Sequence, residues 1–441
     1  MSEQNSLSVN ASPTKELFIS MLTKDLVLID AIADLVDNCV DGAKRLRHSE
    51  DYTGLFVHLE VTSEQFRIVD NCGGIDVTTA REHAFCFGRP SGMVTTNHSI
   101  GNFGVGMKRA LFKLGKFFSI ESCTQNSRFS LEQNIEAWAV IKEWNFRFNN
   151  VEENVQVNET DIGTRITVSD LYPGVSSELG LETFISRLKI KLQSIHQITM
   201  EKGFLIKLNN IQLDCSPPCL ASSDTISPSY KEKEIVNEHE QKVNVRMYAG
   251  LSIRDPSKAG WSIYCNDRLI LEADKSLITG WGKEADNPDY HNTYARFRGF
   301  VFFDSIKSDL LPWNTTKNNI DAELPLFREI RDDMILEMKP VMGFLKKVAK
   351  EKRYQENNDP TPLEIIINSA DFLPLKHFTK EQSFIYPSET QTEQTSPAMS
   401  TIKYQMPLED VKQVKEVLKV KTAKEVGEKT FEYFMRMECN D

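Results

Sequence analysis

The stretch AIADLVDNCVDGAK (Ala31 to Lys44) carries three carboxylates and an amide at short, regular spacings. On a helix Asp34 and Asn38 share a face, with Asp37 and Asp41 three residues beyond each. A carboxylate and an amide so arranged can hold an activating water and a Mg²⁺ ion; a solvated acidic face is the plainer alternative for the stretch alone. In IVDNCGGID (Ile68 to Asp76) a strand runs into Asp70 and the chain turns at Gly73 and Gly74. A carboxylate at a strand end can accept from an exocyclic amine, and glycines let a flat base approach the backbone. An ordinary hairpin turn uses the same residues. In SIGNFGVGMKRALFKLG (Ser99 to Gly115), Gly101, Gly104 and Gly106 precede a helix. Backbone N–H groups at such a helix start cradle phosphate, helped by the helix dipole. The spacing is neither that of the dinucleotide fingerprint nor that of the P-loop. A fourth stretch, DIGTRITVSDL, sets Gly163 and Thr164 before an alternating strand and by itself carries no chemistry.

These residues need elements to hold them. Leu28, Ile29, Ile32, Leu35 and Val36 recur at three- and four-residue steps, which predicts one long helix over 15–47. LFVHLEV and FRIVD read as strands, residues 88–106 as a long functional loop with five glycines, and KRALFKLG as helix. Short strands follow to about residue 170, then mixed helix and strand, a helix over 324–353 containing Pro340, and a helical end with a TAKE capping box at Thr422 to Glu425. The expected divisions are an arm at 1–14, a first domain at 15–175, a smaller α/β domain at 176–345, a helical extension at 346–382, a linker at 383–402 and a helical segment at 403–441. At 441 residues and 40% hydrophobic content the chain can bury a substantial core. Its 52 Lys and Arg against 63 Asp and Glu give a net charge of −11, which argues against coating nucleic acid by bulk charge. No apolar run reaches bilayer length and eight scattered cysteines predict no disulfide scaffold, so the expected setting is cytoplasmic, with no membrane.

The order and spacing of the four stretches resemble the GHKL ATPase superfamily, which includes gyrase B, the ninety-kilodalton heat-shock chaperone, histidine kinases and MutL. The resemblance covers residues 15–171. It implies an α/β (α+β) fold, a two-layer sandwich with a mixed sheet that binds ATP, followed by a smaller α/β transducer domain and a helical tail. It implies ATP and Mg²⁺ as cofactors, with Asn38 as the Mg²⁺ ligand and Asp34 as general base in Mg-dependent hydrolysis. Asp70 would accept the adenine amino group, Thr164 would help through a water, and Gly74 would give the base room. Gly101, Phe103, Gly104, Val105 and Gly106 would wrap the phosphates within a lid at 84–106. Asp41, Ile75, Asn102 and Met107 belong to the same implied nucleotide-binding set. Lys108 faces a phosphate or is a solvated helix residue.

Two residues depart from the family pattern. Asp34 stands where the family has Glu, which predicts slow turnover or the use of ATP mainly as a switch. Cys72 replaces a glycine of the second motif; a packed thiol is its simplest role. Beyond the first domain, SIYCNDRLILEADKSLITGWG and LLPWNTTKNNID are similar to the transducer domain of MORC-type and related bacterial proteins. That likeness makes Lys317 the residue that returns to the γ-phosphate, against the alternative of a surface lysine on a polar loop. Asn266 and Arg268 read as structural or communicative. The chain lacks room for a topoisomerase cleavage module or the chaperone's later domains, the phospho-acceptor context of a histidine kinase, and MutL's nuclease signature. The implied function is a nucleotide-driven dimerising clamp or conformational switch, an ATP-dependent homodimer with DNA or a protein as client. The rival reading is a nucleotide-gated scaffold with negligible turnover.

Overall fold

The computed structural model describes residues 14–88, 97–101, 104–285, 287–354, 359–387 and 402–439. Asn102 and Phe103, nearly all of the arm at 1–14 and most of the linker at 383–402 lie outside them. The chain forms two compact units, Met1–Tyr386 and Pro387–Asp441.

The expected helix over 15–47 is two helices, α1 (Lys15–Thr23) and α2 (Leu28–Leu46). The break has a packing cause. Val27 is extended, which sends the neighbouring Leu26 and Leu28 into the core, and the Lys113 ammonium donates to the freed Thr23 carbonyl at 3.0 Å. Strands β1 (Phe56–Val61), β2 (Phe66–Asp70), β3 (Gly115–Cys123), β4 (Ser127–Asn134), β5 (Phe148–Glu153), β6 (Gly163–Leu171), β7 (Leu205–Leu208) and β8 (Ile211–Gln212) form one sheet in the order β5-β4-β3-β6-β2-β1-β7-β8. Only β1 and β7 run parallel, so the sheet is mixed. Burial alternates along β1 and β4, with one face against apolar side chains and the other open, which is the signature of two layers. The covering layer includes α2 and the helix Gly106–Leu114.

The first sheet runs past the expected division at 175/176. That division would leave β7 and β8 in the second domain, yet β7 pairs with β1 from Phe56↔Leu205 to Leu59↔Leu208. The pairing is physical continuity of a hydrogen-bonded ladder, so the first layer system closes near residue 212. Short strands β9 (Cys219–Ser222) and β15 (Asp371–Pro374) pair with each other, and β10 (Ser229–Val236), β11 (Lys242–Leu251), β12 (Gly260–Cys265), β13 (Arg268–Asp274) and β14 (Phe297–Asp304) form a second sheet ordered β10-β11-β14-β12-β13. Every residue of β12 is buried, as expected for a central strand covered on both faces. The helix Pro325–Tyr354 continues through Pro340 and buries Phe327, Ile330, Met334 and Met338.

Among its described residues the second unit holds two helices, Leu408–Leu418 and Ala423–Glu438. Thr422 and Glu425 make the expected capping box, and no residue of either helix is buried. Among the described residues no helix is long and apolar enough to cross a membrane.

Candidate functional site

A cavity of about 540 Å³ opens between α2, the end of β2, the start of the helix Gly106–Leu114 and the loop that bears Lys317. That volume lies within the range of ordinary small-molecule sites. Asp34, Asn38, Asp41, Asp70, Gly74, Ile75, Gly101, Gly104, Val105, Gly106, Met107, Lys108, Thr164 and Lys317 all line it. The structure thus brings together every expected site residue it describes.

Helix α2 presents its polar residues according to position. Asn38 is exposed, whereas Asp34, Asp37 and Asp41 are buried. The Asp34 Oδ2 accepts from the Arg109 Nη2 at 2.6 Å, and Oδ1 lies 3.3 Å from the Lys317 Nζ. Gly106 packs directly against this carboxylate: a Cβ built there would stand 3.5 Å from Asp34 Oδ2, an ordinary van der Waals contact. Asp37 is fully buried: its Oδ1 accepts from the Arg268 Nε at 2.8 Å and its Oδ2 from the Lys317 Nζ at 2.8 Å. Burial opposes its ionisation, but Arg268 and Lys317 outweigh that and hold the carboxyl below the usual carboxylate range. Burial likewise works against the charge on Lys317, and Asp37 and Asp34 reverse it, leaving its pKa raised. The His196 ring, also fully buried, sits 3.6 Å from Asp37 Oδ1, and burial drives its pKa down to about 3, so it is neutral.

Asp41, which lines the cavity, also holds the loop beside it. Its carboxylate accepts from the Ile100 N–H at 2.7 Å, the Gly101 N–H at 2.7 Å and the Ser99 hydroxyl at 3.1 Å. It therefore anchors the entry to the glycine-rich loop, because free amides at a loop start are the nearest donors for a buried carboxylate. Lys108 is buried and donates to the carbonyls of Ala84, at 2.9 Å, and Gly104. Burial pulls its pKa down to about 8. It is a cation without a carboxylate partner among the described residues, at the edge of a cavity, which suits an anionic ligand.

At the other end, Asp70 and Thr164 face each other across β2 and β6. Asp70 Oδ1 accepts from the Cys72 N–H at 2.8 Å and Oδ2 from the Cys39 thiol at 3.3 Å. Burial raises the Asp70 pKa. Thr164 shares a hydroxyl contact of 3.2 Å with Ser122, whose hydroxyl also accepts from the Ile75 N–H at 2.7 Å. Gly74, which lines the cavity, is also required by the backbone. It has φ +69°, and a Cβ would lie 2.1 Å from the Cys123 carbonyl oxygen. Cys39 and Cys72 are buried thiols whose pKa values burial raises well above normal, so Cys72 is packed, as its sequence context suggested.

Two participants escaped the sequence reading. Arg109 binds Asp34, and its signal was the Lys-Arg pair one turn into the helix after the glycine loop. Lys44 donates to the carbonyls of His98 at 2.9 Å and Asn266 at 2.7 Å, tying α2 to the loop and to the second sheet; nothing local in the sequence marks it. Among the described residues no group of three or more His, Cys, Asp or Glu side chains could hold a metal, so a cation here would depend on Asn38, ligand oxygens and water.

Residues 27–164 match the family described as histidine kinase-, DNA gyrase B-, and HSP90-like ATPase. The matched segment runs from the start of α2 to Thr164 and contains every lining residue named above except Lys317. The match supports ATP binding by this segment. No curated protein matches the chain.

Proposed function

We propose that the chain binds ATP with Mg²⁺ in this cavity and hydrolyses it slowly, using the nucleotide state to drive closure and dimerisation. The observation that carries the reading is Lys317. It lies outside the family-matched segment, 283 residues from Asp34, yet its ammonium reaches both Asp34 and Asp37 beside the cavity. Such a lysine has one obvious use at a phosphate site: a compact point charge that distinguishes a terminal phosphate from its absence. Asp70 accepts the adenine amino group, and Asn38, exposed to the cavity, offers an amide oxygen to Mg²⁺. The amides of Gly104, Val105 and Gly106 at the helix start face the phosphates, with Lys108 beside them. Asp34 takes the proton of the attacking water. Asp37, held by Arg268 and Lys317, does not line the cavity, which favours Asp34 as the base.

The second reading, a nucleotide-gated scaffold with negligible turnover, has one observation in its favour. Asp34 is held between Arg109 and Lys317, so each oxygen already accepts from a cation. The client would be DNA or a protein, in the manner of MORC-type proteins, with the basic run KKVAKEKR (Lys346 to Arg353) as one candidate contact. Calorimetric titration of ATP with and without Mg²⁺, on wild type and Asn38→Ala, tests the binding reading; loss of the Mg²⁺-dependent part is expected, and wild-type affinity in the variant contradicts it. Phosphate release by the purified chain separates hydrolysis from gating alone.

A further inference from the structure

The turn between β12 and β13 is a two-residue hairpin. Asn266 and Asp267 have φ of +47° and +68°, and Cys265 pairs directly with Arg268. Positive φ at both central residues is the geometry that matches strand twist, so the turn is stiff and Arg268 leaves it in a fixed direction. The turn is also fastened on its outer side. The Asn266 carbonyl accepts from Lys44, its amide nitrogen donates to the Ser99 carbonyl at 3.1 Å, and its amide oxygen accepts from the Ser305 N–H at 2.9 Å.

From this position one guanidinium makes two bonds in different directions. The Arg268 Nε donates to Asp37 Oδ1 on α2, 231 residues away in sequence, and its Nη1 donates to the Lys317 main-chain carbonyl at 2.6 Å. Lys317 needs such a hold. Its φ is +52°, a left-handed conformation that a residue with a Cβ adopts at a cost. Its own N–H is fixed to the Asn314 carbonyl at 3.0 Å. The two oxygens of Asp37 are thereby divided, Oδ1 to Arg268 and Oδ2 to the Lys317 ammonium.

We propose that Arg268 is a positioning residue for nucleotide sensing: its planar fork sets both the backbone of Lys317 and the carboxylate that steers the Lys317 ammonium. The claim rests on the ATP reading above. With Arg268 absent, Asp37 has a free oxygen and draws the Lys317 ammonium toward itself, while the loop carrying Lys317 loses its tie to the second sheet. The site then binds nucleotide but no longer favours a terminal phosphate. A lysine in place of Arg268 keeps the charge and cannot reproduce two divergent N–H bonds.

The test measures the affinities of ADP and a non-hydrolysable ATP analogue for wild type, Arg268→Lys, Lys317→Met and the double variant. Arg268→Lys is expected to reduce the preference for the analogue over ADP by about tenfold, the usual worth of a charge-assisted hydrogen bond. The double variant should show no further loss than Lys317→Met. An unchanged preference in Arg268→Lys, or equal losses for both ligands, overturns the proposal and leaves Arg268 structural. If Arg268→Lys does not fold, Arg268→Gln, which keeps one donor on a long side chain, carries the same comparison. A wild type that binds neither nucleotide overturns the ATP reading itself, an outcome visible in the first titration.

Discussion

Replacing Lys317 by Met tests the site and the fold together. Methionine keeps most of the volume and removes the ammonium. In the wild type the side chain is only 7% exposed, and its ammonium lies 2.8 Å from Asp37 Oδ2 and 3.3 Å from Asp34 Oδ1. Removing one member of a buried ion pair costs roughly 3–5 kcal/mol when its partner is stranded. Here neither carboxylate is stranded, since Asp37 keeps Arg268 at 2.8 Å and Asp34 keeps Arg109 at 2.6 Å. The loss should therefore fall below that range, at about 2 kcal/mol, the scale of one charge-assisted hydrogen bond. Urea unfolding of variant and wild type reads it directly, provided the slopes agree. The same variant should lose ATP-driven closure and turnover while its ADP affinity stays within about twofold, because ADP lacks the group that Lys317 meets. A variant as stable as wild type would mean that the ammonium does not sit between the two aspartates. Equal losses of ADP and ATP-analogue affinity would mean that Lys317 only braces the domain contact.

Further expectations follow from the same geometry. Asp34→Ala should bind ATP and lose hydrolysis by about 10²–10⁴-fold, while Asp34→Glu should keep or raise the rate; phosphate release checks both, and wild-type turnover in the alanine variant removes Asp34 as base. Lys108, with its pKa brought down to about 8 by burial, should regain its proton affinity next to phosphate. ATP affinity should then be full below pH 8 and fall above it, by at most about tenfold per pH unit, as the free lysine deprotonates before the bound one. Titrations between pH 7 and 9.5 test this, and a Lys108→Met variant with the same slope refutes it.

What could be read in the sequence was local. Helical spacing puts Asn38 and Asp34 on one face, and the glycine loop, weak by itself, is legible from its order and spacing with the other three stretches. The strands were legible from alternation, but not their neighbours: nothing in GFLIKLNNIQL says that it joins β1 in parallel, so the first layer system was cut too early. The helix break before α2 was hidden because Leu26 and Leu28 fit a helical pattern as well as they fit the core. Helical spacing places Asp41 near the cavity but does not show that its buried carboxylate also accepts from the amides of Ile100 and Gly101, which lie some sixty residues away. Arg109 meets Asp34 across 75 residues through the packing of two helices on the first sheet, and Arg268 meets Asp37 across 231 residues through the docking of the second sheet; neither pairing leaves a spacing to count.

The central claim is that the cavity recognises ATP through Asp70, which faces Thr164 across the sheet and lies half-buried beside Cys39. The most direct measurement is calorimetric titration of ATP and GTP, each with Mg²⁺, on wild type and Asp70→Asn. ATP should bind wild type far more tightly than GTP, whose base presents a carbonyl where adenine presents an amine, and Asp70→Asn should weaken ATP by about 1–2 kcal/mol. Equal binding of ATP and GTP to wild type, or no binding of ATP at all, would contradict it.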